Sequence, residues 1–264
     1  MESQIVGYRA DEIDDGKLLM RGFSFVNITG DELSIMKDVT FENPTGGVDA
    51  DNADRIRIWN PLLSGYTTYF YYVEDEDGYV WHEENWLDED EDEEVAKQYQ
   101  GKIAPYQGFW YQTYLGKGAT PAENKKMTVS GAVDQDVYDP FEILDGKLQM
   151  FVNPYPVASN IKDETSIIIA NPTGGVDADT ADRIRIWNPK LSGYTTYFYY
   201  VEDEDGYVWH EENWLDEDED QEIAKQYQGD IAAGQAFWYQ SYVAKGSLPK
   251  TDKTIQFVSP FEKK

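Results

Sequence analysis

Residues 43–113 of this chain recur almost unchanged as residues 171–241, shifted by 128 positions. Nine positions differ across that stretch: Asn52/Thr180, Leu62/Lys190, Glu93/Gln221, Val95/Ile223, Lys102/Asp230, Pro105/Ala233, Tyr106/Gly234, Gly108/Ala236 and Thr113/Ser241. A period this long is a whole small domain rather than one solenoid unit, so the repeat sets the architecture. Each half of the 264 residues is about the size of an ordinary domain and can bury its own core. Whatever the repeated block does, the chain does twice. That favours bivalent binding or head-to-tail assembly over one catalytic centre.

Strand signals dominate each half. Residues 4–9, 17–27 and 33–41 are β-rich runs separated by Asp/Gly clusters. Arg55-Ile56-Arg57-Ile58-Trp59 alternates strictly, which puts Ile56 and Ile58 on one face and both arginines on the other. Asp77-Gly78 marks a hairpin between residues 66–73 and 79–82. Residues 108–115 and 127–133 complete the first unit's strands. One short helix is predicted over residues 95–100, after the acidic run 88–94 and before Gly101, with a second copy ending at Gly229. Asp15-Gly16-Lys17-Leu18 returns as Asp145-Gly146-Lys147-Leu148, so the repeat extends into its divergent flanks. The expected fold is all-β: two tandem homologous antiparallel β-sandwich or barrel-like domains, residues 1–126 and 127–264, each with one short helix.

Composition narrows the function. A formal charge of -29 excludes the usual nucleic-acid binder, which needs a basic face for phosphates, and disfavours docking on anionic lipid. It suits high solubility, divalent cations or a salty exterior that screens self-repulsion. Without cysteine there is no disulfide framework, thiolate metal site or thiol nucleophile. No apolar run approaches a membrane span, and Met1-Glu2-Ser3 does not read as a signal peptide, which leaves a cytoplasmic protein or a mature form carrying a start Met. Twenty Tyr, eight Trp and eleven Phe are far more than a solvated acidic tail carries, so the chain folds.

Each unit also follows a frame of short motifs. It runs through Gln4-Ile5-Val6-Gly7-Tyr8, an Asp-Gly-Lys strand, Arg-Ile-Trp-Asn, Gly-Tyr-Thr-Thr-Tyr, a Trp-containing hairpin, Gln107-Gly108-Phe109-Trp110 and Met127-Thr128-Val129-Ser130-Gly131. This frame resembles a loosely defined, mostly uncharacterised family of secreted bacterial repeat proteins. Asn153-Pro154-Tyr155-Pro156 fits that pattern in the second unit alone, and Gly234-Gln235-Ala236-Phe237-Trp238 departs from it by one alanine. The resemblance implies an extracellular or cell-surface protein without known catalysis, and it carries no active site.

Three constellations stand out. Asp49, Asp51 and Asp54 follow Gly46-Gly47 closely, and Asp177, Asp179 and Asp182 repeat them. Clustered carboxylate oxygens in a Gly-led loop suit a hard cation, with calcium the candidate, although the glycine and distant glutamate of an EF-hand are missing. The competing reading is an Asx-rich turn that satisfies its own backbone. The acidic run 88–94 invites calcium too, but reads more simply as a solvated helix start. His82 and His210, one per unit, lie beside glutamates; without a second histidine they do not make a zinc catalytic site.

The aromatic strands are the third. Tyr69 and Tyr71 share one strand face, Phe70 and Tyr72 the other, and Trp110 opposes Phe109 and Tyr111. A simple sandwich buries one sheet face, so Tyr69, Tyr71, Trp110, Tyr197, Tyr199 and Trp238 are candidates for a ligand or protein interface. The alternative is that both faces are covered. No phosphate loop, nucleophile elbow or His-x-x-x-His pair occurs, so no enzyme is expected. The chain reads first as an extracellular structural protein that assembles with itself into a fibre, layer or matrix, residues 4–9 and 254–258 serving as sheet edges. The alternative is a bivalent module that binds extracellular polysaccharide.

Overall fold

The structure is a computed structural model. It describes residues 6–14, 16–24, 33–35, 38–60, 64–74, 78–83, 102–103, 107–119, 125–133, 139–188, 193–202, 206–212, 229–249 and 252–261. The predicted helix at 95–100 and its second copy, like the acidic runs before them, lie outside these residues. Backbone contacts divide the chain into two compact units, Met1–Asp134 and Gln135–Lys264.

Unit 1 begins with β1 (Val6–Ile13), β2 (Leu18–Arg21), β3 (Leu33–Ser34), β4 (Val39–Glu42) and β5 (Arg55–Asn60). It continues with β6 (Gly65–Glu74), β7 (Gly78–Glu83), β8 (Lys102–Ile103), β9 (Phe109–Gln112) and β10 (Lys125–Ala132). Unit 2 follows the same order. It has β11 (Phe141–Glu142), β12 (Leu148–Val152), β13 (Ser159–Asn160), β14 (Ile167–Ala170) and β15 (Arg183–Asn188). Then come β16 (Gly193–Glu202), β17 (Gly206–Glu211), β18 (Asp230–Ile231), β19 (Ala236–Gln240) and β20 (Thr254–Phe257). The expectation of an all-β, antiparallel fold holds.

Two sheets form the body of each unit. In unit 1 a five-stranded sheet, β2-β9-β5-β6-β7, faces a three-stranded sheet, β1-β10-β4; in unit 2 the sheets are β12-β19-β15-β16-β17 and β11-β20-β14. A two-stranded ladder, β3-β8 or β13-β18, completes each unit. Strand β10 pairs with β1 along its full length and with β4. The units therefore divide after this strand, and the boundary expected at residue 127 cuts through it. For the same reason the expected edge at 254–258 is wrong: β20 is the central strand of its sheet.

Register fixes which face is buried. Ile56 lies between Tyr69 and Tyr111, and Ile58 between Thr67 and Phe109, so these residues share the inner face. Against them pack Ile13, Val39, Met127 and Val129 from the smaller sheet. Unit 2 repeats the arrangement with Ile184, Ile186, Phe237 and Tyr239 against Ile255 and Phe257. Burial of a large apolar side chain is worth about 1.5–3 kcal/mol, so this interleaved layer dominates each unit's stability.

The second face of the larger sheet is partly covered as well, by its own chain. Leaving β4, residues 45–54 cross it as a strap before entering β5. Asp54 N–H donates to the Thr45 carbonyl and Gly47 N–H to the Tyr71 carbonyl, while Tyr71 N–H donates back to the Asp54 carbonyl. Ala50 and Ala53 of the strap close over Phe70, which is fully buried, and Tyr72 packs beside it. Gly47 is required by close approach. A β-carbon there would lie 2.6 Å from the Asn52 carbonyl oxygen, and at Gly175 2.6 Å from that of Thr180.

Candidate functional site

The Gly-led loop is this strap, and its three aspartates have three separate tasks. Asp49 caps the 3-10 turn Ala50–Asn52: its Oδ1 accepts from the N–H groups of Asp51 and Asn52 at 2.9 and 3.0 Å. Asn52 Nδ2 donates to both of its oxygens at 2.8 Å. In unit 2 Thr180 Oγ1 replaces that amide as the donor to Asp177, at 2.8 Å, so the Asn52/Thr180 difference preserves the contact. Asp51 is solvated and pairs with Arg55 at 3.1 Å, as Asp179 pairs with Arg183 at 3.0 Å.

Asp54 and Asp182 are fully buried. Lys125 Nζ reaches the two oxygens of Asp54 at 2.8 and 3.0 Å and also donates to Thr45 Oγ1 at 2.7 Å. Tyr111 donates its hydroxyl to Oδ2 at 2.8 Å and Tyr114 its N–H to Oδ1 at 2.7 Å. In unit 2 Lys253, Thr173, Tyr239 and Tyr242 make the same contacts with Asp182. Asp49, Asp51 and Asp54, like Asp177, Asp179 and Asp182, therefore do not converge as the calcium reading requires. One caps, one is solvated, and one has its charge matched by a buried ammonium. Among the described residues no group of three or more acidic or histidine side chains is placed to hold a metal ion. Asp49 and Asp177 each form an Asx-type turn of the kind the competing reading expects.

Sequence reasoning missed the lysine in this cluster, although a signal existed. Lys125-Met127-Val129 and Lys253-Ile255-Phe257 are inward positions of alternating strands, where a lysine demands a buried partner.

Burial, followed by the charge of Asp182, holds the Tyr239 hydroxyl well above the usual tyrosine range. A raised folded-state value means stability that is present below about pH 10, the unfolded tyrosine's range, and lost as pH rises beyond it. Alkaline titration monitored by phenolate absorbance should show Tyr239 ionising only together with the unfolding of unit 2. In Tyr239→Phe that alkaline component of the instability should disappear.

Burial and the like charge of Lys162 lower the affinity of His210 for a proton. Its ring meets that of Tyr200 edge-on, with centroids 5.0 Å apart. The His82 side chain lies outside what the structure describes.

Most of the six aromatic candidates belong to the core. Tyr69 and Tyr197 are buried on the inner face, and Tyr71 and Tyr199 pack half-buried against Trp81 and Trp209. Trp110 and Trp238 lie on the outer face, yet are nearly buried there. Around Trp110 the register sets out a row across four strands, Met20–Trp110–Arg57–Thr68, with Trp59 and Tyr66 one step along the same face. Trp59 and Tyr66 meet edge-on at 4.9 Å, and Trp187 and Tyr194 at 5.1 Å.

Trp238 Nε1–H donates to the Tyr194 hydroxyl at 3.1 Å, which fixes the tyrosine ring over the sheet. In unit 1 burial raises the affinity of the Tyr66 hydroxyl for its proton, opposed by the Trp110 donor and by Arg57. Tyr66 and Tyr194 each remain 43% exposed, and Trp59 and Trp187 are half-buried. On this face of the larger sheet, among the described residues, the exposed rings are therefore Tyr66 and Tyr194, each beside a half-buried tryptophan, Trp59 or Trp187. Sequence reasoning passed over these two pairs because Trp59 follows an isoleucine-rich core strand. No protein-family model, curated protein or solved structure matches the chain, so the resemblance to secreted repeat proteins rests on the quoted motifs alone.

Proposed function

We propose that the protein is a non-catalytic, bivalent module that binds a neutral polysaccharide outside the cell or at its surface. The observation that carries this reading is the outer-face patch of Trp59, Tyr66 and Arg57 over Trp110, repeated as Trp187, Tyr194 and Arg185 over Trp238. It lies on a sheet rather than in a cavity, which suits an extended polymer. Rings offer apolar faces to the C–H faces of sugars, and arginine and tyrosine add hydrogen-bond donors. The charge of -29 weighs against an acidic polymer. Two copies on one chain raise the apparent affinity for a repeating ligand by about 10²–10⁴ when both engage.

The test is a panel of neutral and acidic polysaccharides in a pull-down and in calorimetry. Trp59→Ala or Trp187→Ala alone should lower binding to a single-site level, and the double variant should abolish it with both units folded. Binding to no neutral polymer, or binding unaffected by the double variant, would remove the reading.

Self-assembly is the second reading, and one observation favours it. Strand β1 has eight residues, lies at the outside of its sheet and exposes Tyr8 to 65%. Such a strand offers backbone groups to a neighbouring chain. Ordered fibres or layers in negative-stain electron microscopy would support it; isolated particles at all concentrations would sink it.

A further inference from the structure

The buried cluster of unit 2 holds more than an ion pair needs. Lys253 Nζ lies 3.0 Å from each carboxylate oxygen of Asp182 and 2.6 Å from Asp145 Oδ1. All three side chains are buried, the lysine and Asp182 completely. One ammonium thus faces two carboxylates out of reach of water. Ser241 Oγ accepts from Lys253 at 2.7 Å and donates to Asp145, and Tyr239 donates to Asp182 Oδ2. Equal distances from both oxygens put the nitrogen against the carbon between them. The elements of an amide-forming site are therefore assembled: an amine, a carboxyl carbon in contact with it, a donor on the carboxyl oxygen, and a second carboxylate beside the nitrogen.

We propose that Lys253 and Asp182 condense to form an intramolecular isopeptide bond, with Asp145 as the proton carrier. The ammonium first passes one proton to Asp182, giving a neutral amine and a neutral acid, a form that does not need the solvation withheld by burial. Nζ then attacks Cγ, forming the N–C bond, while Tyr239 holds the oxygen on which negative charge develops. Asp145 takes one proton from the nitrogen and hands it to the hydroxyl on Cγ. The C–O bond breaks and that hydroxyl leaves as water. The products are one secondary amide and one water; Asp145 ends as it began, and no oxidant or reductant is consumed. Fixed contact between the reacting groups replaces the activation that amide formation in solution requires.

The bond would join β20 to the start of β15 across 71 residues of chain. In unit 1 Lys125 stands equally close to Asp54, but the sequence counterpart of Asp145 is Asp15, outside the described residues. The assignment is therefore made for unit 2.

Intact-mass spectrometry of the denatured full-length protein decides it. The expected result is a mass at least one water below that of the sequence. After proteolysis the deficit should map to a branched species joining the peptides of Asp182 and Lys253. Lys253→Arg should restore the missing water to that pair, and Asp145→Asn should leave it unlinked although both reacting residues are present. Full sequence mass in the wild-type protein would overturn the proposal, whatever the variants do. So would a deficit confined to unbranched peptides, which is the signature of a succinimide. A branched peptide persisting in Asp145→Asn would overturn the role given to Asp145.

Discussion

Asp54→Ala should unfold unit 1 under conditions that leave unit 2 intact. The substitution removes both carboxylate oxygens that face the buried Lys125 ammonium, and with them the carboxylate to which the Tyr111 hydroxyl and the Tyr114 N–H donate. Breaking a buried pair from one side costs about 3–5 kcal/mol, because the lost carboxylate is not replaced by solvent. Each donor that loses this carboxylate adds up to about 1–3 kcal/mol. Against a domain stability of about 5–15 kcal/mol this is most or all of what unit 1 has. Urea unfolding followed by tryptophan fluorescence should split into two transitions, the earlier one belonging to unit 1. Adding Lys125→Met to the same chain should recover much of the loss, since a methionine of similar length needs no counter-charge. A single unshifted transition in Asp54→Ala would show that the ammonium finds another acceptor.

Phe198→Ala carries the second large effect, and its pattern differs. Phe198 is almost wholly buried beneath Ala178 and Ala181 of the strap and meets Tyr200 edge-on at 5.9 Å. Truncating a buried phenylalanine costs about 3–5 kcal/mol. The satellite cluster on this face is small, so the strap itself should loosen before the unit unfolds. Hydrogen exchange should accelerate first at the amides of Gly175 and Thr180, while those of β15 and β19 hold until global unfolding. Uniform acceleration through the whole unit would mean that the strap is part of the main cooperative core.

The repeat and the alternation of Arg55–Trp59 made the fold class legible from sequence, because period-two patterning leaves one way to bury Ile56 and Ile58. The hairpin at Asp77-Gly78 was readable for the same local reason, and Glu74 and Gly78 do pair. What sequence could not supply was who covers whom. Asp49, Asp51 and Asp54 look alike as letters, yet the strap turns one inward to a lysine 71 residues away. Nor does alternation alone show that a loop folds over Phe70 on the second face of the sheet, or that Tyr71 packs inward against Trp81. The pair Trp59–Tyr66 was hidden by its neighbours in the strand.

The near-identity of the two copies is concentrated in one layer of each sandwich. Strands β5, β6, β7 and β9 come from the repeated block, while the opposing sheet of β1, β10 and β4 comes from sequence that has diverged. A newly made chain therefore holds two interchangeable sheets, each able to recruit the other's partner, the usual route to inter-domain misassembly. The Lys–Asp pair gives no discrimination, being the same in both. Discrimination falls to shape: Met127 and Val129 line one opposing layer, Ile255 and Phe257 the other. The divergent layer thus serves as an address, and a chain made uniform in both layers would lose the information that sorts its own halves.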